Sequence, residues 1–134
     1  MIVVLDCNIW MTLAISRKLS LLYSLKKHQI NTAGCTELFN EISEVSQRKK
    51  FKKYFNRLDI EQLFQIYFTF TLNFELSEIE SIVSDQKDNY LFALCDASKA
   101  DYLVTGDKLL LDVMKHKSTE VITLAKFRQM VSNP

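Results

Sequence analysis

Short apolar runs separated by longer stretches of helical periodicity form the main pattern of the chain. Residues Ile2 to Leu5 are an unbroken apolar run rich in β-branched side chains, which is typical of a strand buried on both faces. Weaker runs predict further strands over Ile30 to Cys35, Tyr102 to Val104 and Val121 to Leu124. The predicted strands are therefore distributed along the whole length of the chain.

Between these runs, apolar residues recur at the spacing of helices. Ile60, Leu63, Phe64 and Tyr67 follow the i, i+3, i+4, i+7 rule of an amphipathic helix. Similar spacing predicts helices near 9–14, 19–25, 36–45, 91–95, 109–114 and 127–131, while 73–84 is ambiguous. Strands that alternate with helices imply an α/β fold whose parallel sheet is covered on both faces. With 134 residues and no internal repeat, we expect a single domain over 1–134.

Composition narrows the class of protein. Hydrophobic residues make up 48% and charged residues 25%, which favours a globular core over disorder. The net charge of +1 gives no whole-molecule field typical of nucleic-acid binders, although a local basic patch is compatible with it. Cys7, Cys35 and Cys95 form no CxxC pair, so we expect buried free thiols rather than a zinc knuckle or a disulfide framework.

The chain shows no sign of a membrane or export segment. The N-terminal apolar run lacks a basic region and is interrupted by Asp6, which argues against a signal peptide. The aromatic stretch 63–74 is broken by polar residues, which argues against a membrane span. We therefore expect a cytoplasmic protein without a membrane partner.

Two carboxylates follow predicted strands. Asp6 comes directly after the first strand, and Asp107 follows Val104 after two residues. In open α/β sheets, ligands bind outside the carboxyl ends of the strands. For either residue alone, an acid that caps the next helix is the better explanation.

Glu41 lies at the edge of an apolar helix stripe formed by Leu38, Ile42 and Val45. A carboxylate at the rim of a buried face must be paired, bind a metal or face a cleft, because burying it bare costs too much free energy. A salt bridge to a lysine or arginine is as good an explanation as a functional role.

Asp88 shares a predicted helix face with Leu91 and Cys95. If Asp85 caps this helix, Asp88 lies in the first turn, near the positive end of the helix dipole. A supporting role at the helix start is the alternative to a functional role.

These four acids are more informative together. Two carboxylates 4 Å apart repel by about 4 kcal/mol at an effective dielectric near 20, so such a cluster takes up protons or binds a cation. Oxygen ligands select hard ions such as Mg²⁺ or Mn²⁺. His28 and His116 are not in a metal-binding spacing, and both are expected at the surface beside lysines. The sequence therefore predicts a divalent-metal carboxylate site.

Four segments resemble a PIN domain: 5–8 (LDCN), 36–42 (TELFNEI), 88–94 (DNYLFAL) and 100–107 (ADYLVTGD). Their order and spacing cover nearly the whole chain, and the last segment is the most specific. The nearest type resembles the small bacterial PIN proteins that include VapC-like toxins of type II toxin–antitoxin modules.

The resemblance implies a three-layer α/β/α fold and hydrolysis of RNA phosphodiester bonds at a pocket holding one or two Mg²⁺ or Mn²⁺ ions. Asp6 and Asp107 would hold the principal ion, and Asp88 and Glu41 would place a second ion or orient the attacking water. The resemblance implies Asp6, Asp88 and Asp107 as metal ligands, with Asn8 and Thr105 in polar supporting positions. The partners implied are an RNA substrate, a cognate antitoxin protein and a second copy in a homodimer.

Two departures from the family pattern keep other functions open. Leu109 and Leu110 stand where many relatives have a further acid, which favours a catalytically silent PIN module that binds nucleic acid or protein. Cys7 replaces the usual Thr or Ser, a milder change. A haloacid-dehalogenase-like phosphatase is a weaker alternative, because such enzymes need an aspartate where this chain has Asn8.

A basic segment follows the helix of Glu41. It contains Lys49, Lys50, Lys52 and Lys53, interleaved with aromatic residues, and is a candidate RNA-binding surface. An amphipathic helix with merely solvated lysines is the slightly favoured alternative. The aromatic helix around Tyr67 is explained by core packing, and an antitoxin groove or dimer contact is the alternative.

Overall fold

A computed structural model describes residues 1–132 of the chain. Within them, six strands form one sheet in the order β3-β2-β1-β4-β6-β5. All neighbouring strands are parallel except the last pair, β6 and β5. The strands are β1 (Ile2–Leu5), β2 (Asn31–Gly34), β3 (Thr71–Asn73), β4 (Tyr102–Val104), β5 (Lys115–His116) and β6 (Thr119–Ile122).

Helices connect these strands. They are α1 (Cys7–Ile15), α2 (Ser20–Lys27), α3 (Thr36–Ser46), α4 (Arg57–Phe70), α5 (Tyr90–Ser98), α6 (Lys108–Leu111) and α7 (Leu124–Ser132). Two single 3₁₀ turns lie at Lys49–Phe51 and Gln86–Asp88. Two of the helix starts are capped by side chains: the Cys35 sulfur accepts the Leu38 N–H at the start of α3, and Asn56 and Asp59 form a capping box on α4.

The strand order places the functional end of the sheet. From β1 the chain moves outward to β2 and β3, then returns to β4 on the other side of β1 and continues to β6. Because right-handed crossovers in opposite directions lie on opposite faces, α1–α4 cover one face and α5 covers the other. The direction of winding changes between β1 and β4, and such switch points are where open α/β sheets bind ligands.

The core lies against the two central strands. Val3, Val4, Leu103 and Val104 are completely buried, as their apolar runs predict. The α3 stripe of Leu38, Ile42 and Val45, together with Trp10 of α1 and Phe92 of α5, completes the core. Cys7, Cys35 and Cys95 are buried free thiols, which confirms the expectation from sequence.

The α/β prediction with a mostly parallel central sheet flanked by helices is confirmed. The sequence missed β3 and β5, because strands of three and two residues at the sheet edges carry almost no apolar pattern. The helix predicted over 109–114 is a single turn that ends before Met114, whose φ of 64° is left-handed. The final strand begins at Thr119, two residues earlier than predicted.

Three local predictions are wrong. The basic segment is not an amphipathic helix but a 3₁₀ turn followed by a loop, with α4 beginning at Arg57. Asp85 makes no side-chain cap, and Asp88 lies in the 3₁₀ turn before α5 rather than in the first turn of α5. The His116 side chain is 11% exposed and lies 3.1 Å from an Asp96 carboxylate oxygen, whereas His28 is exposed as expected.

Within residues 1–132, none of the helices has the length and apolar character needed to cross a membrane.

Candidate active site

Asp6 and Asp107 lie at the ends of the two central strands. β1 and β4 are paired in parallel, with Leu5 opposite Val104, so both chains leave the sheet at the same edge. The Asp6 N–H donates to the Val104 carbonyl over 3.0 Å, which extends the pairing by one residue. Asp6 is only 4% exposed, while Asp107 is half-buried. The end of each strand thus supplies one carboxylate at the topological switch point.

Thr105 joins these two strand ends. Its buried hydroxyl donates to Asp6 Oδ2 over 2.7 Å and accepts the Asp107 N–H over 3.0 Å. Asp107 Oδ1 in turn accepts the Leu109 N–H over 2.9 Å and caps α6. Thr105 therefore orients Asp6, while Asp107 has one oxygen committed to the start of a helix. The capping explanation applies to Asp107 but not to Asp6, which makes no side-chain cap on α1.

Glu41 is held from the opposite layer of the fold. It lies on α3, half-buried, and its Oε1 accepts a hydrogen bond of 2.5 Å from the hydroxyl of Tyr90, the first residue of α5. Tyr90 is 7% exposed and was missed by the sequence analysis, which treated this position only as part of a helix. No sequence pattern marks Tyr90, because its partner lies 49 residues away.

Asp88 is positioned by its neighbour Asn89. The Asn89 side chain accepts the N–H groups of Ile82 and Val83 and donates to the Val83 carbonyl. This clamp fixes the segment before α5 and holds the 3₁₀ turn that carries Asp88. The aspartate is buried, with 7% of its surface exposed.

One cavity of about 640 Å³ collects these side chains. All four predicted acids line it: Asp6, Glu41, Asp88 and Asp107. Asn8 and Lys50 also line it, whereas Thr105 is buried behind Asp6. Among the remaining predicted lysines, Lys52 lines a different groove, and Lys49 and Lys53 do not line this cavity.

Burial, followed by mutual repulsion, raises the pKa values of three of the carboxyls, those of Asp6, Glu41 and Asp88. Burial raises the pKa of Asp6 to about 6; the charges of Glu41 and Asp107 add to this, and the Thr105 hydrogen bond opposes it. The pKa of Asp88 is also raised to about 6, by burial and then by the charges of Asp6, Asp85 and Asp107. Burial and the charge of Asp88 raise the pKa of Glu41, against the hydrogen bond from Tyr90.

Basic side chains line the same cavity, and the charge of Lys87 partly opposes the raised pKa values of Glu41 and Asp88, but none of them pairs directly with the four acids. In the part of the chain that the structure describes, none of the four carboxylates forms a salt bridge within 4 Å. The salt bridge considered for Glu41 is therefore wrong; Arg48 pairs instead with Glu44, at 3.0 Å. Lys87 pairs with Asp85 at 3.8 Å, beside Asp88 rather than on it.

The donor set suits a hydrated hard cation. Across residues 1–132, no three His, Cys, Asp or Glu side chains lie close enough to form a ready cage for an ion. Mg²⁺ usually keeps several water ligands and is bound by one or two carboxylates together with substrate phosphates. A wide cavity with unpaired carboxylates, and with no sulfur or imidazole among its lining residues, fits that type of binding.

The fold and the cavity together define a class, an α/β protein with a carboxylate-lined pocket at the switch point of its sheet. A model of the PIN domain family matches residues 2–109. The chain therefore belongs to the PIN domain family, as its sequence segments indicate. PIN domains are generally nucleases, and such nucleases generally use divalent metals.

A solved structure gives the same fold. The crystal structure of PAE2754 from Pyrobaculum aerophilum superposes with a TM-score of 0.61 at 14% sequence identity. The alignment covers 98% of this chain and 90% of that one. At this identity the likeness concerns the fold alone. No curated protein sequence matches the chain.

Proposed function

We propose that the protein is an Mg²⁺- or Mn²⁺-dependent endoribonuclease. The observation that carries this proposal is the cavity lined by Asp6, Glu41, Asp88 and Asp107, none of which forms a salt bridge with a described lysine or arginine. These residues come from four separate parts of the chain. Burial and then neighbouring negative charge raise the pKa values of Asp6, Glu41 and Asp88, and a divalent cation would offset both effects. We also propose that residues 1–134 act as one domain, since one sheet contains strands from both ends of the chain.

Each carboxylate has a role in this proposal. Asp6, Asp88 and Asp107 are the metal ligands, with Asp6 oriented by Thr105. Glu41 orients the attacking water or places a second ion. When bound, the metal lowers the pKa of water and neutralises negative charge that develops on the phosphate oxygens. Asn8 is exposed on the cavity wall and is placed to contact the substrate.

Two residues at the rim of the cavity favour single-stranded RNA as the substrate. Lys50 lines the cavity, has no described carboxylate within 4 Å, and lies 5.1 Å from the centre of the Phe51 ring. A cation beside a partly exposed aromatic ring suits a single strand, because the ammonium group contacts phosphate and the ring stacks on a base. Within the basic segment we therefore assign the main substrate contact to Lys50, with Lys49, Lys52 and Lys53 in weaker roles.

The test is metal-dependent cleavage of single-stranded RNA by purified wild type, Asp6→Asn and Asp107→Asn. Each variant removes one negative charge and one carboxylate ligand from a small donor set, so its rate should fall at least about 100-fold. Asp112→Asn, on the exposed surface after α6, is the matched control and should cleave normally. Full activity in a clean preparation of either cavity variant would contradict the assignment.

A catalytically silent module is the second candidate. It is favoured by Leu109 and Leu110, because Leu109 is 45% exposed two residues after Asp107 and adds no carboxylate to the cavity. Mn²⁺ titration by calorimetry separates the two functions. Saturable Mn²⁺ uptake that Asp6→Asn abolishes supports the nuclease, and absence of uptake supports the silent module.

The more specific role of a VapC-like toxin rests on the sequence resemblance. This role requires action on RNA in the cytoplasm and a cognate antitoxin protein as the binding partner. A homodimer is the alternative assembly. Expression of the chain alone should then arrest growth, while Asp6→Asn should not. Growth unaffected by an active wild-type enzyme would exclude the toxin role and leave the nuclease proposal intact.

A further inference from the structure

Tyr90 connects the two helical layers at the cavity. Its hydroxyl donates to Glu41 Oε1 over 2.5 Å, and thereby joins α5 on one face of the sheet to α3 on the other. Among the described side-chain hydrogen bonds, this is the one that reaches Glu41, and no cation lies within salt-bridge distance of the carboxylate. The orientation of Glu41 therefore depends on Tyr90 more than on any other side chain.

Three structural properties make Tyr90 a well-fixed hydrogen-bond donor to Glu41. It is buried, with 7% of its surface exposed, and it lines the cavity beside Asp88. It follows Asn89, whose side chain is fixed by bonds to Val83 and Ile82, so its backbone has little freedom. Among the described residues, its hydroxyl forms a hydrogen bond with Glu41 and with no other group.

We propose that Tyr90 is a positioning residue that commits Oε1 of Glu41 and leaves Oε2 as the single oxygen available to the cavity. This inference rests on the proposed nuclease function. Glu41 then contacts a water or an ion through one oxygen and does not act as a bidentate metal ligand. This role of Tyr90 also explains why a residue on α3 can serve a site built from the ends of β1 and β4: the tyrosine holds it there.

The chain offers a matched control for a buried tyrosine hydroxyl. Tyr67 is 2% exposed and donates one hydrogen bond, of 3.3 Å, to the Cys35 carbonyl, but it does not line the cavity. Tyr90→Phe and Tyr67→Phe each remove one hydroxyl and one hydrogen bond without changing the ring. A purely structural role for Tyr90 would make the two variants alike in every functional measurement.

The experiment measures Mn²⁺ affinity by calorimetry on the metal-free protein, single-turnover RNA cleavage, and thermal unfolding. Tyr90→Phe is expected to lower kcat or Mn²⁺ affinity about ten-fold, with the KM for RNA changed less than two-fold. Tyr67→Phe should change neither, although both variants lose some thermal stability. In a Glu41→Gln background, Tyr90→Phe should add less than a two-fold further effect, because its partner is already altered.

Two results would overturn the inference alone. One is a wild type that binds Mn²⁺ and cleaves RNA while Tyr90→Phe matches Tyr67→Phe in both functional readouts. The other is a full ten-fold effect of Tyr90→Phe that persists in the Glu41→Gln background. A wild type that neither binds Mn²⁺ nor cleaves RNA would overturn the nuclease proposal and this inference together.

Discussion

Helix α3 separates two clusters built on opposite principles. On one side Glu41 faces the cavity, where burial and the neighbouring carboxylates raise the pKa values of Asp6, Glu41 and Asp88. On the other side Phe39 packs against α4, with its ring centre 5.1 Å from Phe64 and 4.7 Å from Phe68. The aromatic cluster (Phe39, Phe64, Tyr67 and Phe68) is held by attraction, whereas the carboxylate cluster persists in spite of repulsion.

The two clusters contribute to the stability of the fold with opposite signs. Aromatic pairs in offset or edge arrangements contribute about 0.5–1.5 kcal/mol beyond the area that they bury. The carboxylates instead cost free energy unless they are protonated or bind a cation. The aromatic cluster is explained by packing alone, in agreement with the sequence interpretation of the α4 stripe as core. The carboxylate cluster has no such structural explanation, which is why it is the candidate site.

The largest expected effect on stability comes from removing charge at Asp6. The carboxyl ionises near its ordinary value of 3.8 in the unfolded chain and near 6 in the folded protein. The folded state therefore binds more protons between pH 4 and 6, and the metal-free protein loses stability as the pH rises through this window, by about 3 kcal/mol. Asp6→Asn should remove this contribution and be more stable than wild type at pH 7, while the raised pKa of Asp88 leaves a similar contribution in place.

Urea unfolding at pH 4.5 and pH 7 in the presence of a chelator measures this effect. Asp112→Asn, on the exposed surface, should retain the wild-type pH dependence. Mn²⁺ should stabilise the wild type at pH 7 more than at pH 4.5, because protons compete for the same carboxylates. If the stability of the wild type does not fall between pH 4.5 and pH 7, the carboxylate cluster does not destabilise the fold, and the contrast with the aromatic cluster is wrong.

A smaller loss is expected when the aromatic side is overpacked. A Cβ added at Gly34 of β2 would overlap the Tyr67 hydroxyl and lie 3.0 Å from its Cζ and 3.1 Å from Thr71 Cβ. Because Tyr67 is wedged against Trp10 and Phe39, Gly34→Ala should destabilise the protein by about 2 kcal/mol. Thermal or urea unfolding measures it.

The size of Tyr67 is the reason for this cost. In a Tyr67→Leu background, Gly34→Ala should therefore cost much less than in the wild type. Cleavage by Gly34→Ala below its unfolding temperature should match wild type, since the glycine lies outside the cavity lining. An equal cost in both backgrounds would show that the aromatic ring does not limit the space at Gly34.

The smallest effect is expected at the rim of the cavity. Lys50→Ala should raise the KM for single-stranded RNA about three- to ten-fold and reduce the slope of log affinity against log salt by about 1. Lys49→Ala removes the same charge from the neighbouring position outside the cavity lining and should have less effect. Binding titrations at several salt concentrations, with the Asp6→Asn protein as the non-cleaving background, measure both. Identical slopes for the two variants would mean that the basic segment acts only through its total charge.

Much of the fold could be predicted from the sequence, because buried parallel strands carry their own pattern. Ile2–Leu5 and Tyr102–Val104 were located to the residue. The edge strands Thr71–Asn73 and Lys115–His116 could not be found, since exposed strands this short depend on their neighbours for pairing. The basic segment was misjudged because spacing alone does not distinguish a helix from a turn followed by a loop.

The candidate site, like the fold, could be predicted from the sequence only in part. Each acid could be chosen from its place after a strand or on a helix face, and the PIN segments made the choice specific. The partner of Glu41 could not be chosen, because Tyr90 lies 49 residues away and belongs to another layer. Equally, Lys50 could not be selected within the basic segment as the lysine that lines the cavity until the loop after α3 was placed.

The amino-acid sequence by itself determined the alternation of strands and helices, the family and the identity of the four acids, because periodicity and short motifs are local properties of the chain. Only the tertiary structure decided that these acids share one cavity, that no described lysine or arginine forms a salt bridge with them, and that Tyr90 holds Glu41. Those facts depend on distances between residues that are far apart in sequence. Such distances are set only when β1 pairs with β4 and when α3 and α5 pack around the sheet.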